Sequence, residues 1–343
     1  MFEHLDDPVP FRTDARFRRA VTARGRRLRL RRRLTTTLGG LVLLLGTVGA
    51  TGALYVERRD AAIDRIDVAT APSTDGAMNI LLVGADQTGA HPDSIVVVRL
   101  APDGSIGVLS VPRDLVDPAT GVKMTGHTDP QALVDAVTGL LGIPVDHFVR
   151  MDVSGFVDLV DQLGGLRVAI DRPLYDSTVA VNLQPTACTT LDGETTLALA
   201  RARWLAGDDS GDLGRMVRGQ ALLTAALAQL AETGDDPVAL DRISRLLADH
   251  AVVDRGLDLR EMIDIGRQMA AVDPSALNLT TLPVVAVEGT NGAPELRLAQ
   301  AAEGVLQLFG ASADHEIAVP PRDARSVDVG DLTGAIPPPI HPC

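Results

Sequence analysis

A scattered set of arginines and aspartates between residues 86 and 220 has the make-up of a phosphate site. Arg113 stands in Val111-Pro112-Arg113-Asp114, just where a strand is expected to end. Ligands of open α/β sheets bind at such strand ends. Arg201 and Arg203 lie two apart at the end of an expected helix, and Asp208, Asp209, Asp212, Arg215 and Arg218 follow. Arg215 and Arg218 are three apart and share a helix face. Guanidinium groups grip phosphate oxygens bidentately, so this cluster suits a phosphate or pyrophosphate. Asp86 and Asp93 flank the turn between two expected strands. Two carboxylates there suit Mg²⁺, which commonly completes its shell with substrate phosphates. Taken singly, each charged residue reads equally well as a surface salt bridge. Taken together they suit phosphoryl transfer, which needs charge neutralisation and in-line placement more than covalent chemistry. A carboxylate would then take the proton of an acceptor hydroxyl.

The elements that must position these residues can be read from the surrounding pattern. Asn79–Gly84, Ser94–Leu100 and Ile106–Val111 are short β-branched runs bounded by turn residues, with a hairpin around Pro102-Asp103-Gly104. A helix is expected over Asp129–Leu141, closed by Gly142 and Pro144, then a strand His147–Met151, a helix Gly155–Leu163 and a strand Leu166–Ile170. Gly164-Gly165 makes the turn between the last two. Helical spacing continues over Leu191–Arg203, Leu213–Glu232, Pro237–His250 and Asp258–Ala271. One strand at Leu277–Val287 and one helix at Glu295–Phe309 complete the reading. Strands alternating with helices predict an α/β sandwich. Arg201 and Arg203 cannot share one face of a continuous helix, so the chain is expected to fray there.

The charge balance separates two unlike parts. The chain of 343 residues carries a formal net charge of −13, yet residues 1–33 hold eleven arginines against Glu3, Asp6, Asp7 and Asp14. That arm is +7 and leaves −20 for the remainder. A body so acidic is not expected to bind nucleic acid. Leu34–Val56 is 23 residues without a charge, enough to cross ~30 Å of hydrocarbon as a helix. The arginines before it place residues 1–33 in the cytoplasm and residue 57 onward outside. The expected domains are thus a cytoplasmic arm 1–33, a transmembrane helix 34–56, a polar Ala-rich stalk 57–77, an extracytoplasmic domain 78–310 and a loose acidic, Pro-rich tail 311–343. Cys188 and Cys343 both fall outside, where they either pair, pinning the tail, or stand as two free thiols. The seven histidines show no metal-ligand spacing.

The motifs in order resemble the LytR-CpsA-Psr family over about Asn79 to Leu230. They begin with Asn79-Ile80-Leu81-Leu82-Val83-Gly84-Ala85-Asp86, Pro92-Asp93-Ser94 and Leu109-Ser110-Val111-Pro112-Arg113-Asp114. They continue with Leu140-Leu141-Gly142-Ile143-Pro144, Leu163-Gly164-Gly165, Leu191-Asp192-Gly193-Glu194, Arg201-Ala202-Arg203 and Gly211-Asp212-Leu213-Gly214-Arg215-Met216-Val217-Arg218-Gly219-Gln220. The resemblance implies an α-β-α sandwich with a central mixed sheet and an apolar pocket for a prenyl chain. It implies a membrane-anchored phosphotransferase that moves a glycopolymer from a polyprenyl-pyrophosphate carrier to a peptidoglycan acceptor. By motif match, Asp86 and Asp93 would bind Mg²⁺. Arg113, Arg201, Arg203, Arg215 and Arg218 would hold the pyrophosphate, with Lys123 (the only lysine in the chain) and Gln220 nearby. Arg113, Asp212 and Arg215 would be catalytic, Asp212 orienting the arginines or activating the acceptor. The sequence departs from the pattern at Gln87-Thr88, where an Arg is usual, at Met124-Thr125 and at Gly219. With water as acceptor the same site would make a hydrolase. Those departures thin the polar side of the site, so a degenerate, non-catalytic carrier-binding member is an alternative, and a regulatory protein, as in the family's older transcriptional attenuator label, would rest on the Arg-rich arm binding DNA.

Overall fold

The computed structural model describes residues 57–86, 91–205, 211–233, 237–273, 276–289, 292–321 and 338–343. The Arg-rich arm 1–33 and the expected membrane helix 34–56 lie outside these residues. Among the described residues no helix is long and apolar enough to cross a membrane.

Along the chain come β1 (Asp64–Ile66), β2 (Met78–Ala85), β3 (Pro92–Leu100), β4 (Ile106–Val111), α1 (Pro130–Leu141), β5 (His147–Met151), α2 (Val153–Gln162) and β6 (Leu166–Ile170). Then follow β7 (Leu174–Asp176), β8 (Val181–Leu183), β9 (Thr186–Leu191), α3 (Gly193–Arg201), α4 (Gly211–Thr233) and α5 (Pro237–His250). The last are β10 (Ala251–Asp254), α6 (Leu259–Ala271), β11 (Asn278–Thr281), β12 (Val284–Glu288), β13 (Pro294–Leu298), α7 (Ala302–Leu308) and β14 (Ile340–Pro342). The helix starts follow from capping: the side chains of Asp129, Asp152, Asp192 and Asp258 each accept a first-turn N–H. Gly142 ends α1 in the left-handed conformation, φ 66°, which a residue with a Cβ rarely adopts.

Seven strands form a mixed sheet in the order β1-β10-β5-β2-β3-β4-β11. Its two faces do different work because side chains alternate along each strand. Leu81, Val97 and Leu109 are register partners and fully buried, and they pack under α1 and α7 in one core. The next row, Leu82, Val96 and Ser110, turns to the opposite face and lines a cavity roofed by α2, α3 and α4. Beyond it a second core forms around the small sheet β14-β6-β9. Helices therefore stand on both faces of a central mixed sheet, as the sequence led us to expect.

Several elements differ from that reading. Segment 57–77, expected as a stalk, supplies β1, which pairs with β10, and Ser73, whose hydroxyl donates to Asp146 Oδ2 at 2.6 Å. The strand expected over Leu277–Val287 divides at Leu282-Pro283 into β11 and β12, which join different sheets. The helix expected over Glu295–Phe309 begins instead as β13, paired antiparallel with β12. Its Glu, Leu and Arg residues favour helix, but pairing with β12 overrides that weak preference. β9 occupies the stretch before Asp192, so α3 starts two residues later than periodicity alone implies. The tail, expected to be loose, ends in β14, which pairs with β6, and in a Cys188–Cys343 disulfide.

One ion pair sets a pH dependence. His147 Nδ1 lies 3.1 Å from Asp254 Oδ2 and its Nε2 lies 3.5 Å from Glu261. Burial alone would depress the imidazole, but the Asp254 hydrogen bond and the charges of Asp254, Glu261 and Asp146 raise it above its ordinary value. Burial likewise opposes ionisation of Asp254, and His147 with the Phe148 and Gly256 amides outweighs it, so Asp254 is lowered. The His147 contribution is complete below about pH 6.5 and is lost as pH rises through its raised folded value. The Asp254 contribution is present above about pH 4 and is lost as pH falls through its lowered folded value. Thermal unfolding should therefore show a lower Tm at pH 9 than at pH 6, and His147→Asn should shrink that difference. An unchanged difference in the variant would remove His147 as its source.

Candidate active site

The cavity encloses about 790 Å³ between the sheet and α2–α4. Its interior is apolar, with Leu82, Val96, Phe156, Leu159, Met216 and Leu223 among its walls. Four arginines, Arg113, Arg201, Arg203 and Arg215, line it against the carboxylates of Asp93 and Asp152. Parallel pairing of β2 with β5, and antiparallel pairing of β3 with both β2 and β4, brings Asp93, Arg113 and Asp152 to one edge of the sheet. This is the carboxyl edge of β2, β4 and β5 and the amino end of β3.

The ion network is centred on Asp212, in the first turn of α4. Arg215, one turn on, donates to both its oxygens, Nε to Oδ1 at 2.9 Å and Nη2 to Oδ2 at 3.1 Å. Arg203 Nε stands 3.5 Å and Arg113 Nε 3.9 Å from the same Oδ1. Arg113 Nη1 pairs with Asp93 Oδ1, and Arg215 Nη1 donates to the Asp93 carbonyl at 3.1 Å. Arg113 Nε is buried and makes no hydrogen bond among the described residues. One carboxylate thus holds three guanidinium groups in a fan at the N-terminus of a long helix, a place that itself favours anions. An incoming phosphate oxygen would find donors already aimed and would compete with Asp212 for them.

The expected site residues divide into two groups. Asp93, Arg113, Arg201, Arg203 and Arg215 line one cavity, and Asp212 ties three of them together. Arg201 closes α3 and Ala202 leaves the helical conformation (φ −56°, ψ 132°), so the helix breaks between Arg201 and Arg203 as expected. Gln220 forms part of the cavity wall and donates from Nε2 to Ser110 Oγ at 2.9 Å and the Thr280 carbonyl at 3.0 Å. It ties α4 to β4 and β11. Arg218 does not share the outlook of Arg215: it is 1% exposed and its Nη2 donates to the Ala202 carbonyl. It supports the turn that carries Arg203 rather than lining the cavity. Lys123 is half-exposed, pairs with Asp114 at 2.9 Å and does not line the cavity. Asp152, Thr178 and Trp204 also line the cavity, and the motif pattern of the sequence does not point to them. The one available signal was that Trp204, the only tryptophan, directly follows Arg203.

Asp86 and Asp93 sit at the same end of the β2–β3 pair, where Ala85 is the register partner of Pro92. Asp86 faces His91, with Nδ1 3.3 Å from Oδ2, and Asp93 is engaged by Arg113. Among the described residues, no three His, Cys, Asp or Glu side chains are grouped to hold a metal ion. Of the two carboxylates, Asp93 lines the cavity and Asp86 does not.

Comparison with known proteins places the fold and the family. The cell wall biosynthesis protein LcpA of Corynebacterium glutamicum is 26% identical over 275 residues, covering 64% of this chain and 52% of its own length. The polyisoprenyl-teichoic acid–peptidoglycan teichoic acid transferase TagU of Halalkalibacterium halodurans is 30% identical over 207 residues, covering 56% of this chain and 66% of its own. The chain therefore spans between about half and two thirds of the length of these curated relatives. Among solved structures, the LytR-Csp2A-Psr enzyme from Actinomyces oris shares the fold with a TM-score of 0.63 at 23% identity, over 77% of this chain and 99% of that one. TagT bound to LI-WTA matches with a TM-score of 0.57 at 22% identity, over 71% of this chain and 98% of its own. The model of the LytR_cpsA_psr family matches residues 50–304, more than half of the sequence, and the chain belongs to that family.

Proposed function

We propose that the protein is a membrane-anchored phosphotransferase that moves a glycopolymer from a polyprenyl-pyrophosphate carrier to peptidoglycan outside the cytoplasm. The observation that carries this reading is a single cavity with an apolar interior and an arginine-lined rim. Such a cavity matches a ligand with a hydrocarbon tail and a pyrophosphate head. Its volume is within the ~300–1,000 Å³ of small-ligand sites, and burial of tail surface contributes about 25 cal/mol per Å². The name of TagU gives teichoic acid as the polymer in that relative, which supports a glycopolymer here. The uncharged segment 34–56 and its arginine-rich flank support the anchor.

In this reading Arg113, Arg203 and Arg215 bind the pyrophosphate and hold it in line, with Asp212 keeping the three in position before substrate arrives. Mg²⁺, held by Asp86, Asp93 and substrate oxygens, would supply further charge neutralisation. The acceptor hydroxyl oxygen bonds to the glycan-side phosphorus, the bridging P–O bond breaks, and prenyl phosphate leaves. The hydroxyl proton passes to a carboxylate at the rim, Asp93 or Asp212. The apolar walls exclude water from the tail and keep the leaving group seated.

The test uses the full chain in detergent with prenyl-pyrophosphate-linked glycan, Mg²⁺ and peptidoglycan oligomers. Prenyl phosphate should appear in step with glycan attached to the oligomer. Val96→Trp, which fills the cavity from its sheet wall, should raise KM for the prenyl donor about tenfold or more. Release of prenyl phosphate at equal rates with and without oligomers would make the protein a hydrolase instead. No release at all would sink the reading.

A further inference from the structure

Trp204 is the single tryptophan in a chain that is only 3% aromatic, and 72% of it is exposed. Large aromatic side chains are ordinarily well covered, so this exposure asks for a reason. The ring does not project from a loose segment. Asp176, itself 1% exposed, accepts the backbone N–H of Arg203 at 3.1 Å and of Trp204 at 3.0 Å on its Oδ2. Its Oδ1 takes the N–H and hydroxyl of Thr178 at 2.9 and 2.6 Å. Ala202 and Leu205, on either side, are buried at 0% and 3%. The backbone at Trp204 is therefore clamped while its indole stays in water. The same residue lines the cavity beside Arg201, Arg203 and Thr178.

We propose that Trp204 is a stacking platform for the sugar ring joined directly to the pyrophosphate. This rests on the reading above that Arg203 and its neighbours hold the pyrophosphate. A sugar on the outer phosphate must then lie within a residue's reach of Arg203, and Trp204 is the next residue. The C–H face of a pyranose carries partial positive charge and is apolar, which matches the negative π-face of an indole. The hydroxyls at the ring edge stay solvated, so the platform works best when exposed. A rigid aromatic on fixed backbone also costs little ordering entropy on binding. Rings with an unbroken C–H face, such as N-acetylglucosamine, should be favoured over those with axial hydroxyls on that face. A membrane-interface role is the competing use of an exposed tryptophan. It is less favoured, because the other exposed large apolar residues described, Val122, Tyr175, Leu308 and Val319, include only one aromatic.

Because Trp204 is the only tryptophan, the emission of the full chain reports this position alone. The full chain in detergent is titrated with geranylgeranyl pyrophosphate and with geranylgeranyl-pyrophosphoryl-N-acetylglucosamine. The sugar-bearing probe should shift the emission well beyond any change caused by the sugarless one. By calorimetry, Trp204→Ala should weaken the sugar-bearing probe about tenfold, leave the sugarless probe within about twofold, and be largely rescued by Trp204→Phe. Equal loss for both probes, or for neither, overturns the proposal. Quenching of the emission in vesicles whose acyl chains carry bromine overturns it in favour of a membrane contact. If geranylgeranyl pyrophosphate fails to bind the wild-type chain at all, the proposed function itself falls, and the platform with it.

Discussion

Arg113→Ala should lower the rate of glycan transfer by about 10²–10³-fold, the loss typical of deleting one pre-aimed donor from a site that stabilises developing negative charge. Arg113 is the residue on which two parts of the network meet. Its Nη1 pairs with Asp93 on β3, its Nε points at Asp212 on α4, and that Nε is buried without a hydrogen bond among the described residues. Such a donor can take a phosphate oxygen at the cost of only the 3.9 Å ion contact with Asp212, not of a hydrogen bond. Alanine removes both contacts and lets Asp93 and Asp212 face an incoming pyrophosphate with less opposing charge. Arg113→Lys should restore little of the rate, because one ammonium cannot reach in two directions as a planar guanidinium does. The fold should survive, since the carboxylates of Asp93 and Asp212 are about a third exposed and stay solvated. The check is the initial rate of prenyl phosphate release by wild type and variants, beside their circular dichroism. Full activity in a folded Arg113→Ala protein would remove this residue from the mechanism.

Loss of the Cys188–Cys343 disulfide should cost about 2–5 kcal/mol of stability. The bridge joins β9 to the end of β14 across 155 residues of sequence. A crosslink over so long a loop removes much freedom from the unfolded chain, about 5 kcal/mol in the simplest entropy model. It also keeps β14 against β6, where Ile340 is fully buried in the second core with Leu166, Val168 and Leu222. Leu166 and Leu222 line the cavity as well, so loosening β14 loosens a wall of the site. Urea unfolding of wild type in oxidised and reduced form, and of Cys188→Ser, should show the reduced and variant proteins sharing a lower midpoint. Coincident curves for oxidised and reduced wild type would show that β14 holds by pairing and packing alone.

Local pattern and capping make much of the fold legible in the sequence. The β2, β3 and β4 runs carry β-branched residues and are bounded by turn residues, and each helix from α1 to α4 and α6 opens on or near an Asp. These signals act within a few residues, so a sequence displays them directly. The division of 294–308 into β13 and α7 was not legible in that way. Its residues prefer helix, and only pairing with β12, set by packing elsewhere, makes Pro294–Leu298 a strand.

By itself the sequence determined the inventory of the site: arginines at the ends of β4 and α3 and along α4, and carboxylates flanking the β2–β3 turn. It also determined the acidic body and the arginine-rich arm ahead of an uncharged stretch. The tertiary structure decided which of those charges meet. Arg215 and Arg218 share a helix face at a spacing of three, yet Arg215 turns to Asp212 and Asp93 while Arg218 is buried under Ala202. Lys123 goes to Asp114 and away from the cavity. The tertiary structure also decided that leucines along α4 line an apolar cavity as well as a core, and that Cys188 finds Cys343. The physical reason is common to all of these. Propensity, capping and periodicity are local properties of the chain, whereas an ion pair, a cavity and a disulfide are made between residues that only the packing of sheet against helices brings together.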